Sequence, residues 1–213
     1  MYRVLVPGLM ALALAGCGMS SNSLTAGFAD SGQPSGKLPP SRVAMNDTGP
    51  STAPSEKTPD RAPKGTFEKA PVGALSDRDY TSTTLEPEKA RDLINAYRKQ
   101  HGLKPLRLNS SLTEAAKAHA RDLAKWDRIS HFGSDGSNPW DRVKRSGFNA
   151  KVAAENVGTG QVTIAEVLKG WQTSPGHNKN LLLADADQMG IALVQDPKTE
   201  FKTFWTLVVG ASL

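Results

Sequence analysis

The sequence predicts an α+β domain in which helices cover both faces of an antiparallel sheet. Two observations carry this expectation. Segments with an apolar period near 3.6 occupy the stretch from about residue 86 to 171, and the chain then closes on "QMGIALVQDPKTEFKTFWTLVVG". In that closing stretch two β-rich apolar runs flank an Asp196-Pro197 turn, which is an antiparallel hairpin signal. Both runs are almost continuously apolar, so each needs cover on two faces, and the preceding helices supply it.

The first helix is "EPEKARDLINAYRKQHG", where Ala90, Leu93, Ile94 and Tyr97 share a face and Gly102 supplies the stop. Ser111 and Glu114 read as a capping box ahead of Leu112, Ala116, Ala120 and Leu123, giving a second helix that ends near Asp127. It carries His119 beside its apolar stripe, and a lone imidazole there reads as a boundary residue packing its ring. His131 follows in a junction, and Asn138-Pro139 starts a short third helix through Trp140 and Val143. "VAAENVGTG" places Glu155 and Asn156 in a short extended or looped stretch. "TIAEVLKGW" is a further helix with Val167, Leu168 and Trp171 inward, and its Thr163/Glu166 pair reads as a cap. Ser174-Pro175-Gly176 breaks it, and His177 comes directly after.

Upstream of the domain the composition changes. Met1 to Arg3 precede an apolar run to Ala15 that is too short to span a bilayer, so residues 1–16 read as a secretory signal. From 17 to 84 the chain is rich in Ser, Pro, Gly and Thr without a sustained period, which predicts a tether, with the folded domain over 85–213. Cys17 is the only cysteine, so no disulfide within the chain is expected. The formal net charge of +5 is spread without a basic stripe, which argues against nucleic acid as a partner. A mildly basic surface suits wall polymers or anionic lipid heads instead.

Two resemblances add to this reading. Leu14-Ala15-Gly16-Cys17 resembles the lipobox of bacterial lipoproteins, which implies acylation of Cys17 and anchoring to a membrane through more than one acyl chain. Gly18 after the cysteine implies outer-membrane sorting if the host is Gram-negative. The order Ser-His-Phe, Ala-Glu-Asn, Trp-x-x-Ser-Pro-Gly-His-x-x-Asn-Leu and a final Phe-Trp-Thr strand is similar to the CAP superfamily of cysteine-rich secretory, antigen 5 and pathogenesis-related 1 proteins. That resemblance covers about 86 to 213. It implies a three-layer α-β-α sandwich with a central cleft, lined in the family by two histidines and two acids.

The matching positions are His131, Glu155 and His177, whereas Ser174 stands where many members carry the second glutamate. The resemblance implies weak binding of a divalent metal such as zinc through His131 and His177. Asn156 and Asn180 read as structural amides that satisfy loop backbone beside the cleft. Ser174 and His177 do not form a legible nucleophile-base pair, since Pro175-Gly176 hides their relative direction. The leading functional expectation is a lipid-anchored, non-enzymatic binding module of the bacterial envelope, taking a wall polymer, lipid or protein ligand. The alternatives are a metal-dependent hydrolase with Glu155 as base, and a lipid or sterol carrier.

Overall fold

The computed structural model describes residues Leu24–Gly27 and 59–213. Cys17 and the apolar leader over 1–16 lie outside the described residues. No helix among the described residues is long and apolar enough to cross a membrane.

Alternation along the last strand organises the layers. In chain order the strands are β1 (Leu24–Gly27), β2 (Phe67–Glu68), β3 (Arg107–Leu108), β4 (Ile129–Ser130), β5 (Ala150–Thr159), β6 (Gln188–Gln195) and β7 (Thr203–Ser212). The helices are α1 (Pro87–Gln100), α2 (Ser110–Trp126), α3 (Pro139–Arg145), α4 (Ile164–Thr173) and α5 (Pro175–Leu181). Trp205, Leu207 and Val209 of β7 pack into a core with α1, α4 and α5, while Val208 packs with α2 and α3 on the opposite face. Successive strand side chains point to opposite faces, so one continuously apolar strand serves both cores.

The main sheet runs in the order β1-β5-β7-β6-β3. It is antiparallel except at one edge, where the two-residue β3 pairs parallel to β6. Ala-Glu-Asn, expected in a short extended or looped stretch, lies within the ten-residue β5, paired to β7 with Glu155 opposite Val208. At Gly190 of β6 an added Cβ would sit 2.1 Å from the backbone of Leu112 and Thr113, so glycine there lets the first turn of α2 lie directly on the sheet.

Local signals place most helix ends. Gly102, at φ +70°, follows the C-cap of α1, and Asn138 with Asp141 forms a full capping box on α3. The start of α2 differs from expectation. Its cap is Asn109, whose side chain accepts from Leu112 N at 3.0 Å, while Glu114 pairs with Lys117 at 2.9 Å instead of returning to Ser111. Ser174 serves as both the C-cap of α4 and the N-cap of α5, with Pro175 in the first turn, so the Ser-Pro-Gly break begins a new helix that carries His177. Arg98 of α1, fully buried, donates to the carbonyls of Leu181 (2.8 Å), Leu183 (3.0 Å) and Ala186 (3.1 Å), which fixes the end of α5.

The tether expected over 17–84 is corrected over its second part. Residues 59–84 lie on the domain: Phe67–Glu68 pair with β4, Leu75 is buried against Val157 and Phe204, and Asp60 pairs with the buried Arg128. Composition missed this because one deeply buried apolar anchor, a two-residue ladder and two ion pairs, Asp60–Arg128 and Arg78–Glu166, leave no periodic trace. Strand β1 also falls within the expected tether.

Candidate functional site

Three elements converge on one buried carboxylate. β5 directs Glu155 inward with only 2% exposure, β4 ends immediately before His131, and α3 sends Arg142 toward both. Arg142 Nη2 donates to Glu155 Oε1 and Oε2 at 2.9 and 2.8 Å and to the His131 carbonyl at 2.9 Å, while Nη1 donates to the Ser137 carbonyl at 2.9 Å. His131 Nδ1 lies 2.9 Å from Glu155 Oε1. An ionised carboxylate only accepts, so this Nδ1 carries a proton.

His119 belongs to the same cluster. It is fully buried, its Nε2 lies 2.8 Å from the Ser130 carbonyl and 3.5 Å from Glu155 Oε1, and the carbonyl assigns the proton to Nε2. The boundary packing role expected for His119 is therefore corrected: the ring lines the underside of Glu155. Period placed it on the inner side of α2, but a partner eleven residues away on β4 and another on β5 leave no signal at helical spacing.

Burial is the largest single influence on Glu155 and would raise its pKa, but Arg142, His119 and His131 together outweigh it and hold the group well below the usual carboxylate range. Burial pushes His119 down to about 4, against the partial opposition of Glu155. His177 is likewise pushed down to about 4 by burial, with a smaller contribution from His131.

His177 is fully buried on α5, and neither ring nitrogen has a hydrogen-bond partner among the described residues. Its backbone is tied to the cluster. Asn156 Nδ2 donates to the His177 carbonyl at 3.1 Å, and Asn180 Nδ2 donates to the Glu155 carbonyl at 3.0 Å and to Asn156 Oδ1 at 2.9 Å. The two amides thus lock α5 onto β5, the structural role their chemistry suggested.

Ser174 lies at the junction of two helices. It is half-buried at the α4–α5 junction and makes no side-chain cap bond. Glu166 lies elsewhere, accepting from Val162 N at 2.8 Å and pairing with Arg78 at 2.7 Å. Between α2 and α3 an open cavity of about 430 Å³ is lined by His119, Asp122, Ser134, Asp135, Arg142 and Arg145 among others. It shares His119 and Arg142 with the cluster, while His131, Glu155 and His177 do not line it.

Among the described residues no group of three or more His, Cys, Asp or Glu side chains is arranged to hold a metal. Both Glu155 oxygens face a guanidinium that stays charged, and this opposes a dication at the carboxylate. Two imidazoles without a third donor among the described residues do not fit a resident tetrahedral centre. The same ion pair engages both Glu155 oxygens, which leaves neither without a cationic partner. Arg142 was not named from the sequence. The available signal was indirect: a glutamate on an apolar strand needs a buried cation, but spacing does not say which one.

The model of the cysteine-rich secretory protein family matches residues 91–209. The uncharacterized protein YkwD of Bacillus subtilis is 33% identical over 148 residues, covering 67% of this chain and 58% of its own length. The uncharacterized membrane protein YlbC of the same organism is 29% identical over 121 residues, covering 56% of this chain. The chain spans only 35% of YlbC. An outer surface protein of Borrelia burgdorferi superposes with a TM-score of 0.54 at 20% identity, covering 62% of this chain and 100% of its own. An SCP-domain extracellular protein of Bacillus anthracis superposes at 0.52 with 24% identity, covering 62% of this chain and 45% of its own. Both superpositions share the α+β fold described above.

Proposed function

The chain belongs to the cysteine-rich secretory protein family, and from that premise we propose that it is an extracytoplasmic binding module of the bacterial envelope. In this reading Cys17 is acylated and holds the domain to a membrane. A wall polymer, lipid or protein ligand is taken beside His131 and His177. The observation that carries the non-catalytic assignment is the pairing of both Glu155 oxygens with Arg142. A carboxylate held ionised by a buried guanidinium is better suited to orienting its neighbours than to accepting a proton. The apolar leader ending in Leu-Ala-Gly-Cys supports export and anchoring, and the names of the two superposed proteins, outer-surface and extracellular, accord with it.

The test pairs binding with turnover. Purified wall, anionic vesicles and casein are incubated with the full-length chain, and bound protein and released product are measured together. Retention by wall or vesicles without product supports the reading. Product release that disappears in Glu155→Gln, with the fold intact by circular dichroism, overturns it in favour of a hydrolase. Intact mass of membrane-extracted protein tests the anchor: Cys17→Ser must lose the acyl mass, and equal masses would refute lipidation.

A further inference from the structure

The cavity between α2 and α3 is walled by groups whose charges are already matched. Arg145 Nη1 donates to Asp135 Oδ2 at 2.7 Å, Lys117 pairs with Glu114 at 2.9 Å, and Arg142 is taken by Glu155. Asp122 accepts from Ser134 N at 2.7 Å. A charged ligand of either sign would have to break one of these pairs to gain a partner of its own. Hydroxyl groups break none, because a bonded carboxylate keeps lone pairs and a bonded guanidinium keeps N–H groups for further bonds.

Two residues of the lining also carry unmatched polar atoms. His119 donates from Nε2 to the Ser130 carbonyl, which leaves Nδ1 as an acceptor without a partner among the described residues. Arg142 leaves its Nε–H donor in the same state. His119 is fully buried and Arg142 is 6% exposed, so bulk water does not serve either atom. One wall thus offers an acceptor and a donor together. A metal ion or ammonium would suit only the first and a carboxylate only the second, whereas an alcohol both donates and accepts. The rest of the wall is small and apolar at Ala115 and Ala118 of α2. At Gly133 a Cβ would stand 2.6 Å from Asp135 Oδ1 and 2.7 Å from Ser137 Oγ, so glycine keeps those oxygens close against the lining backbone. A volume of about 430 Å³ falls in the range of small-molecule sites. We propose that this cavity binds a neutral sugar residue, with its C–H face on Ala115 and Ala118 and its hydroxyls on Asp135, Arg145 and the His119–Arg142 wall. The site rests neither on the ligand placed beside His131 and His177 nor on the membrane anchor.

The test titrates the full-length chain by calorimetry with the β-1,4-linked tetramer of N-acetylglucosamine, with maltotetraose, and with the two parent monosaccharides. Saturable binding of at least one of these sugars is expected. Ala118 is exposed, so Ala118→Trp fills the cavity from its rim without entering the core, and should weaken binding at least about tenfold. Arg145→Gln should weaken it by about threefold or more through lost hydrogen bonds. Lys198→Trp, on the exposed turn between β6 and β7, controls for the added indole and should keep the wild-type affinity. Melting temperatures confirm that each variant folds, and Arg145→Gln reads the site if Ala118→Trp does not. Tighter binding of a tetramer than of its monosaccharide supports the proposal with a glycan chain as the source, and equal binding supports it with a free sugar. Absence of binding to all four sugars, or wild-type affinity in both Ala118→Trp and Arg145→Gln, would overturn it. Such a failure alongside retention by wall or vesicles would leave the binding-module reading intact, since that reading seats its ligand beside the two histidines.

Discussion

Arg142 Nη2 lies 2.9 and 2.8 Å from the two carboxylate oxygens of Glu155, and neither residue is more than 6% exposed. A buried pair of this kind contributes little against an apolar replacement of both partners. Removing one partner leaves an uncompensated charge, and that is costly. Here the guanidinium also carries the carbonyls of His131 and Ser137, so it sets the path of the 131–137 loop as well as the charge of the site.

Arg142→Met should therefore destabilise the domain by about 3–5 kcal/mol, a fall in melting temperature of roughly 10 °C at this chain length. Glu155→Gln should cost a comparable amount. The double variant Arg142→Met/Glu155→Gln should recover part of the loss, because neither charge is then left alone. Thermal unfolding of the four chains measures the coupling. Additive losses would mean that the two side chains do not depend on each other.

Stability should also fall on mild acidification. His119 and His177 are held neutral in the folded chain down to about pH 4, whereas an unfolded histidine protonates near 6.5. Between those values the unfolded state binds more protons, so stability rises with pH through this window and is lost as pH falls. For fully buried His119 the loss by pH 5 is on the order of 2 kcal/mol. Denaturant titration at pH 7 and pH 5 should show it, and His119→Gln should flatten the difference. The lowered Glu155 pKa acts in the same direction at more acid pH, below the unfolded carboxylate value.

Sequence order and period made legible what depends on local chemistry. Ala90 and Ile94 of α1, Val167 and Trp171 of α4, and the paired strands about Asp196-Pro197 lie where their spacing placed them. His131 and Glu155 were brought together by resemblance, and the structure seats them 2.9 Å apart. Arg142 and His119 stayed hidden because their partners sit on other elements, and a buried charge network has no period. Composition also concealed β1 and the packed segment 59–84. Ladders use main-chain groups common to every residue, and a single Asp60–Arg128 pair is invisible in a count of charges.

Trp171 and His177 are equally buried but should respond differently to truncation. Trp171 fills the core beneath α4 and donates from Nε1 to the Val157 carbonyl at 3.0 Å. Trp171→Ala should cost about 3–5 kcal/mol. His177→Ala keeps the backbone carbonyl that Asn156 holds and removes two unpartnered polar atoms, so its cost should be near about 1 kcal/mol or less. Equal losses in urea titrations would make His177 a packing residue.

Zinc should associate weakly and not as a resident ion, since the cluster offers His131 and His177 as imidazole ligands while Glu155 is held by Arg142. Protein exposed to zinc and then dialysed should carry well under one equivalent by elemental analysis. Any binding seen on titration should disappear in His177→Ala. A stoichiometric ion that survives dialysis would show that the Arg142 pair opens to admit a metal.

The packed segment before α1 makes the last prediction. Asp60 neutralises Arg128, a side chain only 1% exposed, and Leu75 is 4% exposed within the core around Phe204. Glu200 also accepts from Gly73 N at 2.8 Å, so residues 60–75 are tied to the loop between β6 and β7 as well as to β4. Limited proteolysis should accordingly leave a resistant fragment that begins before Asp60, because backbone held in a ladder and packed core does not enter a protease site without local unfolding. Asp60→Ala leaves the Arg128 charge buried without that carboxylate, with Asp122 the remaining acid at 3.9 Å, and should advance cleavage into the 61–84 segment. Mass spectrometry of the fragments reads both outcomes. A wild-type fragment that starts near Leu85 would return this segment to the tether and remove Asp60 from the domain.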